Sequence, residues 1–183
     1  MLRPLLDTDG PAAAALLDDA VGAGFWRFAE GAGAISLVAV TGQGVAGIVI
    51  ACLEPGDDPD ARAALAGSTA APSEAGGPVL HIRQLAVARE ARRAGLASRL
   101  LAHAETEALA LGAEVAFAFG WLPAGRPEPD AVPFYAAAGY TAGPDIADFY
   151  AESSVATGAV CPFCGDPPCH CAVRPFVKDL TPG

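Results

Sequence analysis

The chain has 183 residues, of which 52% are hydrophobic and 17% charged, with 21 Asp and Glu against 11 Lys and Arg and a net charge of −10. That is one globular domain, 1–183, with enough apolar material for a proper core, and it excludes a disordered chain. A surface with a pI near 4.5 repels nucleic-acid phosphates and anionic membranes and favours cationic or neutral acceptors such as amines.

Residues 2–6 read as a first strand. Thr8 or Asp9 is placed to cap a helix that starts at Pro11 and runs through Ala12–Val21. Gly22, Gly24, Gly31 and Gly33 then surround the aromatic segment Phe25-Trp26-Arg27-Phe28. Residues 35–41 and 45–53 are Val- and Ile-rich and are interrupted by Gly42-Gln43-Gly44, so they read as a hairpin and not as a membrane span. Cys52 in the second of these strands reads most simply as a small buried hydrophobe. Residues 54–78 are turn-rich, including Ser73-Glu74-Ala75, and read as a mobile surface insertion with a short helix at 60–66. The N-terminal Met1-Leu2-Arg3 meets Asp7 and Asp9 with no apolar segment, so no secretory leader and a cytoplasmic location are expected.

Residues 79–87 form a central strand. A helix at 94–111 puts Leu96, Leu100, Leu101, Ala104, Ala108 and Leu111 on one face and ends at Gly112, and His103 reads as exposed. Val115–Phe119 is the next strand, so 79–119 is a βαβ unit with a right-handed crossover. After a loop at 123–129, residues 130–138 make a short helix ending at Gly139. Residues 146–152 and 172–179 read as two final strands, with a cysteine cluster in their connection.

The junction between the central strand and its helix carries the clearest chemistry. Arg89, Arg92, Arg93 and Arg99 crowd a Gly-containing turn at a helix start, where free N–H groups and the helix dipole favour phosphate. The stretch Arg92-Arg93-Ala94-Gly95-Leu96-Ala97 between strand and helix resembles the acetyl-CoA-binding turn of the GNAT N-acetyltransferases, and the order of elements is similar throughout. The resemblance implies an α/β (α+β) fold: a central mixed, mainly antiparallel sheet with splayed central strands, flanked by helices. It also implies that Leu85, Ala86 and Val87 meet the pantetheine and acetyl groups, with the Leu85 N–H as oxyanion donor. Arg92, Arg93, Ala94, Gly95, Leu96, Ala97 and Ser98 would hold the pyrophosphate.

A second motif, Val132-Pro-Phe-Tyr135-Ala-Ala-Ala-Gly139-Tyr140, resembles the family helix whose Tyr protonates the departing thiolate, which points to Tyr135 or to a packing role for it. Strand alternation puts His81, Arg83, Leu85 and Val87 on one face. His81 stands where histone-type relatives have a glutamate base, so it is either the base or a half-buried structural histidine, with water relayed through Gln84 or a carbonyl as a further route. Val115–Phe119 offers no carboxylate to rival it. Gly120-Trp121 replaces a polar residue that many relatives use on the coenzyme. The family's acceptor pocket lies beside the segment after the first helix and the last connection, which points to Trp26, Phe28, Trp121 and Tyr150 as its aromatic wall.

Cys161-Pro-Phe-Cys164-Gly and Cys169-His170-Cys171 put four thiols in eleven residues, 161–171. This suits a closed, structural Zn²⁺ site, with His170 able to replace one cysteine; two disulfides or a redox pair are the alternatives. Without an accompanying basic surface a nucleic-acid ribbon is not expected. The reading is an N-acetyltransferase moving acetyl from acetyl-CoA directly to an amine, with a homodimer left open. A non-catalytic acyl-CoA sensor that docks through the zinc loop is the rival.

Overall fold

A seven-stranded sheet, ordered β1-β2-β3-β4-β5-β7-β6, organises the chain. The computed structural model describes residues 1–22, 25–72 and 76–181; Gly24 and Ser73-Glu74-Ala75 lie outside them. The strands are β1 (Leu2–Pro4), β2 (Ala34–Thr41), β3 (Gly44–Pro55), β4 (Pro78–Val87), β5 (Val115–Leu122), β6 (Thr141–Ala142) and β7 (Ala172–Asp179). The helices are α1 (Gly10–Val21), α2 (Pro59–Leu65), α3 (Leu96–Ala110), α4 (Val132–Ala137) and α5 (Ala151–Thr157). All neighbouring strands are antiparallel except β4 and β5, which are parallel as the crossover through α3 requires. The mixed, mainly antiparallel sheet is the expected one.

Helices cover both faces. Leu100, Leu101, Ala104 and Ala108 of α3 pack on Leu37, Val49, Leu80 and Ile82. On the other face Ala13 and Leu17 of α1 meet Val38, Ile48, Ile50 and Ala86, and Ala61 and Ala64 of α2 meet Val79, Val115, Phe117 and Val177. Each wholly buried Leu here is worth about 2 kcal/mol of removed apolar surface. Glu105, buried on α3, accepts from the Tyr140 hydroxyl (2.9 Å) and from Lys178 Nζ (2.7 Å), which ties α3 to β7.

Four local expectations are corrected. Asp9 is the residue before α1, yet its carboxylate makes no cap bond, because Arg3 and the Leu6 N–H take it. Helix α3 starts at Leu96 and not at 94, since Gly95 sits at φ 70° and breaks helical geometry before it. Leu111 is 56% exposed, because it follows the last helical residue and turns away from the core. Residues 146–152 do not form a strand: Ile146 makes one isolated bridge to Val173, and α5 begins at Ala151. The strand before the cysteine loop is β6, only two residues long.

Candidate active site

Strands β4 and β5 pair only over Val79–Ile82 and Val115–Ala118. Beyond that, β4 stays with β3 as far as Val87, and β5 stays with β7 as far as Leu122. The two strands part in the middle of the sheet. A parted pair leaves backbone N–H and C=O groups facing a gap, which suits an extended amide-bearing ligand. Leu85, Ala86 and Val87 line the β4 side of that gap.

At the end of β4 a short turn leads to Arg92, Arg93 (φ 63°) and Gly95. The N–H groups of Arg93, Ala94 and Gly95 have no backbone acceptor among the described residues, and the first turn of α3 adds the free donors of Leu96, Ala97 and Ser98. A Cβ built on Gly95 would meet nothing within 4 Å, so the space over the turn is open. Arg92 Nε donates to Val87 O at 3.1 Å, and Arg89 pairs with Asp19 at 3.5 Å. Arg93 and Arg99 have no ion-pair partner among the described residues. A cavity of about 580 Å³ opens beside the turn, walled by Gln43 of the β2–β3 hairpin and by Ala94, Leu96 and Arg99.

Tyr135 on α4 is 7% exposed, stacks on Phe176 with ring centroids 4.7 Å apart, and belongs to the same core cluster as Leu85. Its hydroxyl has no hydrogen-bond partner among the described residues, and burial pushes its pKa above the ordinary tyrosine value, so the phenol stays protonated at neutral pH. The neighbouring Gly120 has a steric cause: a Cβ there would stand 2.6 Å from Phe176 Cε2 and 3.0 Å from Pro129.

His81 does not share a face with Leu85. Ile50 pairs with Gln84 but Ala51 pairs with Ile82, so Arg83 is an extra residue, a β-bulge. The bulge shifts the alternation. Leu80, Ile82, Leu85 and Val87 point toward α3, while His81 and Arg83 meet residues of the other face. His81 lies between Phe117 (centroids 4.3 Å) and Phe119 (5.8 Å), and its Nδ1 is 3.0 Å from Glu54 Oε1. Arg83 donates from Nη2 to the same oxygen (2.8 Å) and from Nε to Cys52 Sγ (3.1 Å). Burial raises the Glu54 pKa, but the hydrogen bonds from His81 and Arg83 outweigh it and bring it to about 2. Cys52, expected as a hydrophobe, belongs to this polar network, and burial followed by the nearby Glu54 charge raises its thiol to about 11. A carboxylate does stand beside His81; it comes from β3.

A second cavity of about 580 Å³ lies at the bulge, walled by Phe25, Trp26, Arg27, Arg83, Gln84 and α5 with its neighbour Tyr150. Of the four aromatics read from the sequence as a pocket wall, Trp26 and Tyr150 line it. Phe28 packs behind Trp26 at 5.1 Å and joins the α1 core. Trp121 lines a separate groove of about 470 Å³ with Phe163 and the 123–131 loop. His81 lines neither cavity. Phe25, Arg27 and Glu54 went unnoticed as site residues in the sequence, where Gln84 was read only as a water relay and Arg83 only as sharing a face with His81. Only the Cys52/Glu54 alternation, opposite His81 and Arg83, hinted at the network.

The four cysteines converge. The Sγ atoms of Cys161, Cys164, Cys169 and Cys171 lie within 4.8 Å of one another, with Cys164–Cys171 at 3.4 Å and Cys161–Cys171 at 3.7 Å. A Zn²⁺ tetrahedron with bonds of ~2.3 Å has edges near ~3.8 Å, so the donor set fits that ion. The N–H groups of Phe163 and Cys164 both point at Cys161 Sγ (3.4 Å), and Cys161 and Gly165 close the turn with two backbone bonds. Burial raises the Cys161 thiol, but those N–H groups outweigh it and bring it to about 7. The buried Trp121 Nε1, with no partner within bonding distance, faces Cys171, whose thiolate it would stabilise. His170 is turned away, its Nδ1 2.8 Å from Asp148. All five cysteines are free thiols.

A parted parallel strand pair, followed by a helix whose start presents free N–H groups, is the arrangement that the resemblance to the N-acetyltransferases implied. The Acetyltransferase (GNAT) family profile matches residues 6–140. The chain belongs to that family and is an acetyltransferase. Among solved structures, Arabidopsis thaliana NAA60 in complex with acetyl-CoA is similar at TM-score 0.69 and 16% identity, over 98% of this chain and 97% of that one. The same protein with a bisubstrate analogue gives 0.67, also at 16% identity and 98% and 97% coverage. The ribosomal-protein-S18-alanine N-acetyltransferase of Escherichia coli gives 0.62 at 13% identity, over 100% and 95%. At such identities these neighbours share the fold. No curated protein matches this sequence. No helix among the described residues is long and apolar enough to cross a membrane.

Proposed function

We propose that the protein moves acetyl from acetyl-CoA directly to an amine in a single displacement. The observation that carries this is the gap between β4 and β5, which ends at the free N–H groups of Arg93–Ser98. In this reading those groups and Arg99 hold the pyrophosphate, and Leu85–Val87 pair with the pantetheine amides. The amine enters from the cavity beside Arg83 and Gln84, attacks the thioester carbonyl, and the Leu85 N–H bonds the oxygen as charge builds on it. Tyr135 gives its proton to the departing thiolate. The amine's own proton leaves through water positioned by Gln84 or a backbone carbonyl toward His81, whose Nδ1 is engaged by Glu54, leaving Nε2 as acceptor.

A structural Zn²⁺ held by Cys161, Cys164, Cys169 and Cys171 completes the proposal. It would supply no chemistry to the reaction, since four thiolates leave no open position. Its support is the geometry of the thiols and the orphaned Trp121 N–H beside them.

The test is calorimetry with acetyl-CoA together with steady-state transfer to an amine panel. Tyr135→Phe is expected to lower kcat by about 10²-fold or more with little change in the KM for acetyl-CoA. His81→Gln is expected to lower kcat. Absence of acetyl-CoA binding by the wild-type chain, or Tyr135→Phe and His81→Gln at full rate, overturns the proposal.

A further inference from the structure

The cavity beside the bulge carries a charge opposite to that of the whole molecule. The chain has 21 acidic residues against 11 basic, yet among the described residues the cavity wall holds Arg27 and Arg83 and no carboxylate. Arg27 is exposed and has no ion-pair partner among the described residues. Arg83 spends Nε and one side of its fork on Cys52 and Glu54, and Nη1 has no partner among the described residues. Between the arginines the wall is aromatic, from Phe25, Trp26 and Tyr150, and Trp26 is fixed by its Nε1 bond to Asp18 (2.8 Å). Gln84, one residue before Leu85, also lines the cavity, and its buried Oε1 has no hydrogen-bond partner among the described residues, so a turn of the side chain brings an unsatisfied acceptor to a ligand. An unpartnered buried acceptor calls for an N–H donor.

We infer that the acceptor is a small primary amine carrying a carboxylate and an apolar side chain, in the manner of a hydrophobic amino acid. The inference deepens the acetyl-transfer reading and rests on it. The amine N–H meets Gln84 Oε1 beside the acetyl site, the carboxylate takes the free donors of Arg27 and Arg83, and the side chain lies on the aromatic wall. The volume of about 580 Å³ suits a molecule of that size. A polyamine would bring its remaining positive charges against two guanidinium groups with no carboxylate to receive them. The negative field of the whole chain, which favours cations at long range, is therefore overruled at the site, where a charge-assisted bond at contact distance outweighs a screened one.

The experiment uses the full chain and acetyl-CoA, with phenylalanine, phenethylamine and spermidine as acceptors. The first two differ only in the carboxylate. Phenylalanine is expected to exceed phenethylamine in kcat/KM by about tenfold or more, through KM. Arg27→Gln, at a side chain with no partner to lose, is expected to bring that ratio toward one. Equal or better use of phenethylamine or spermidine overturns the inference and leaves acetyl transfer standing. If no amine is turned over, titration of CoA-loaded protein decides: phenylalanine binding more tightly than phenethylamine supports the inference, and equal or undetectable binding overturns it. Failure to bind acetyl-CoA at all instead removes the reading beneath it.

Discussion

Replacing Gly120 by alanine tests how tightly Tyr135, the proposed proton donor, is held. The new Cβ would stand 2.6 Å from Phe176 Cε2 and 3.0 Å from Pro129, inside any ordinary carbon contact. Phe176 has nowhere to go: it is 1% exposed and stacks on Tyr135 at 4.7 Å and 20°. Relief must push the Phe176 ring into Tyr135 or move β5 away from β7. Overpacking of this kind costs about 1–3 kcal/mol. For a domain of this size that is a fall in Tm of about 3–10 °C. With Tyr135 as the proposed donor to the thiolate, displacement of its hydroxyl also slows that step, so kcat is expected to fall about tenfold or more while the KM for acetyl-CoA changes little. Differential scanning fluorimetry and steady-state kinetics read the two effects. A variant with unchanged Tm and unchanged kcat would refute the argument that this glycine is dictated by the packing of Phe176 behind Tyr135.

Glu105→Ala strands Lys178 and the Tyr140 hydroxyl in a largely buried place, and is expected to cost about 3 kcal/mol in urea unfolding. Acid destabilises the protein through Glu54 and Asp9, whose folded pKa values of about 2 lie below the ordinary 4.5 and 3.8. The stability they contribute is complete above those ordinary values and is lost as pH falls toward 2. Unfolding measured from pH 6 to 2 is expected to show a slope over that window that Glu54→Gln reduces. Metal analysis of protein purified without chelator is expected to find about one zinc per chain, and chelation to lower Tm and alter Trp121 fluorescence. Cobalt replacement is expected to give spectra of four-sulfur coordination, and Cys171→Ser to weaken the metal.

The turn between β4 and α3 was legible because its parts follow one another within the ten residues 87–96: a strand end, a glycine free to adopt φ 70°, and a helix start. Cys161–Cys171 was legible for the same reason, since short spacing forces the thiols together whatever the rest of the chain does. The pairing of His81 with Glu54 was not legible. The two are 27 residues apart, and only the β3–β4 register brings them together. The bulge at Arg83 was invisible too, because one inserted residue leaves the hydrophobic pattern of β4 almost unchanged while reversing which face its later residues take. That reversal separated His81 from Leu85, which strict alternation had put together. Residues 146–152 misled because their composition suits a strand, whereas only Ile146 finds a partner on β7.

What the sequence by itself determined is the βαβ core with its glycine turn and the cysteine loop, since both follow from backbone preferences over a few consecutive residues. Tertiary structure decided the full wall of the cavity at the bulge, of which the sequence had offered Trp26 and Tyr150. Its wall comes from the segment after α1, the bulge in β4 and helix α5, and their meeting depends on strand register and helix packing across the whole sheet. The sign of the local charge there, opposite to that of the chain, is a property of that meeting and of no single segment.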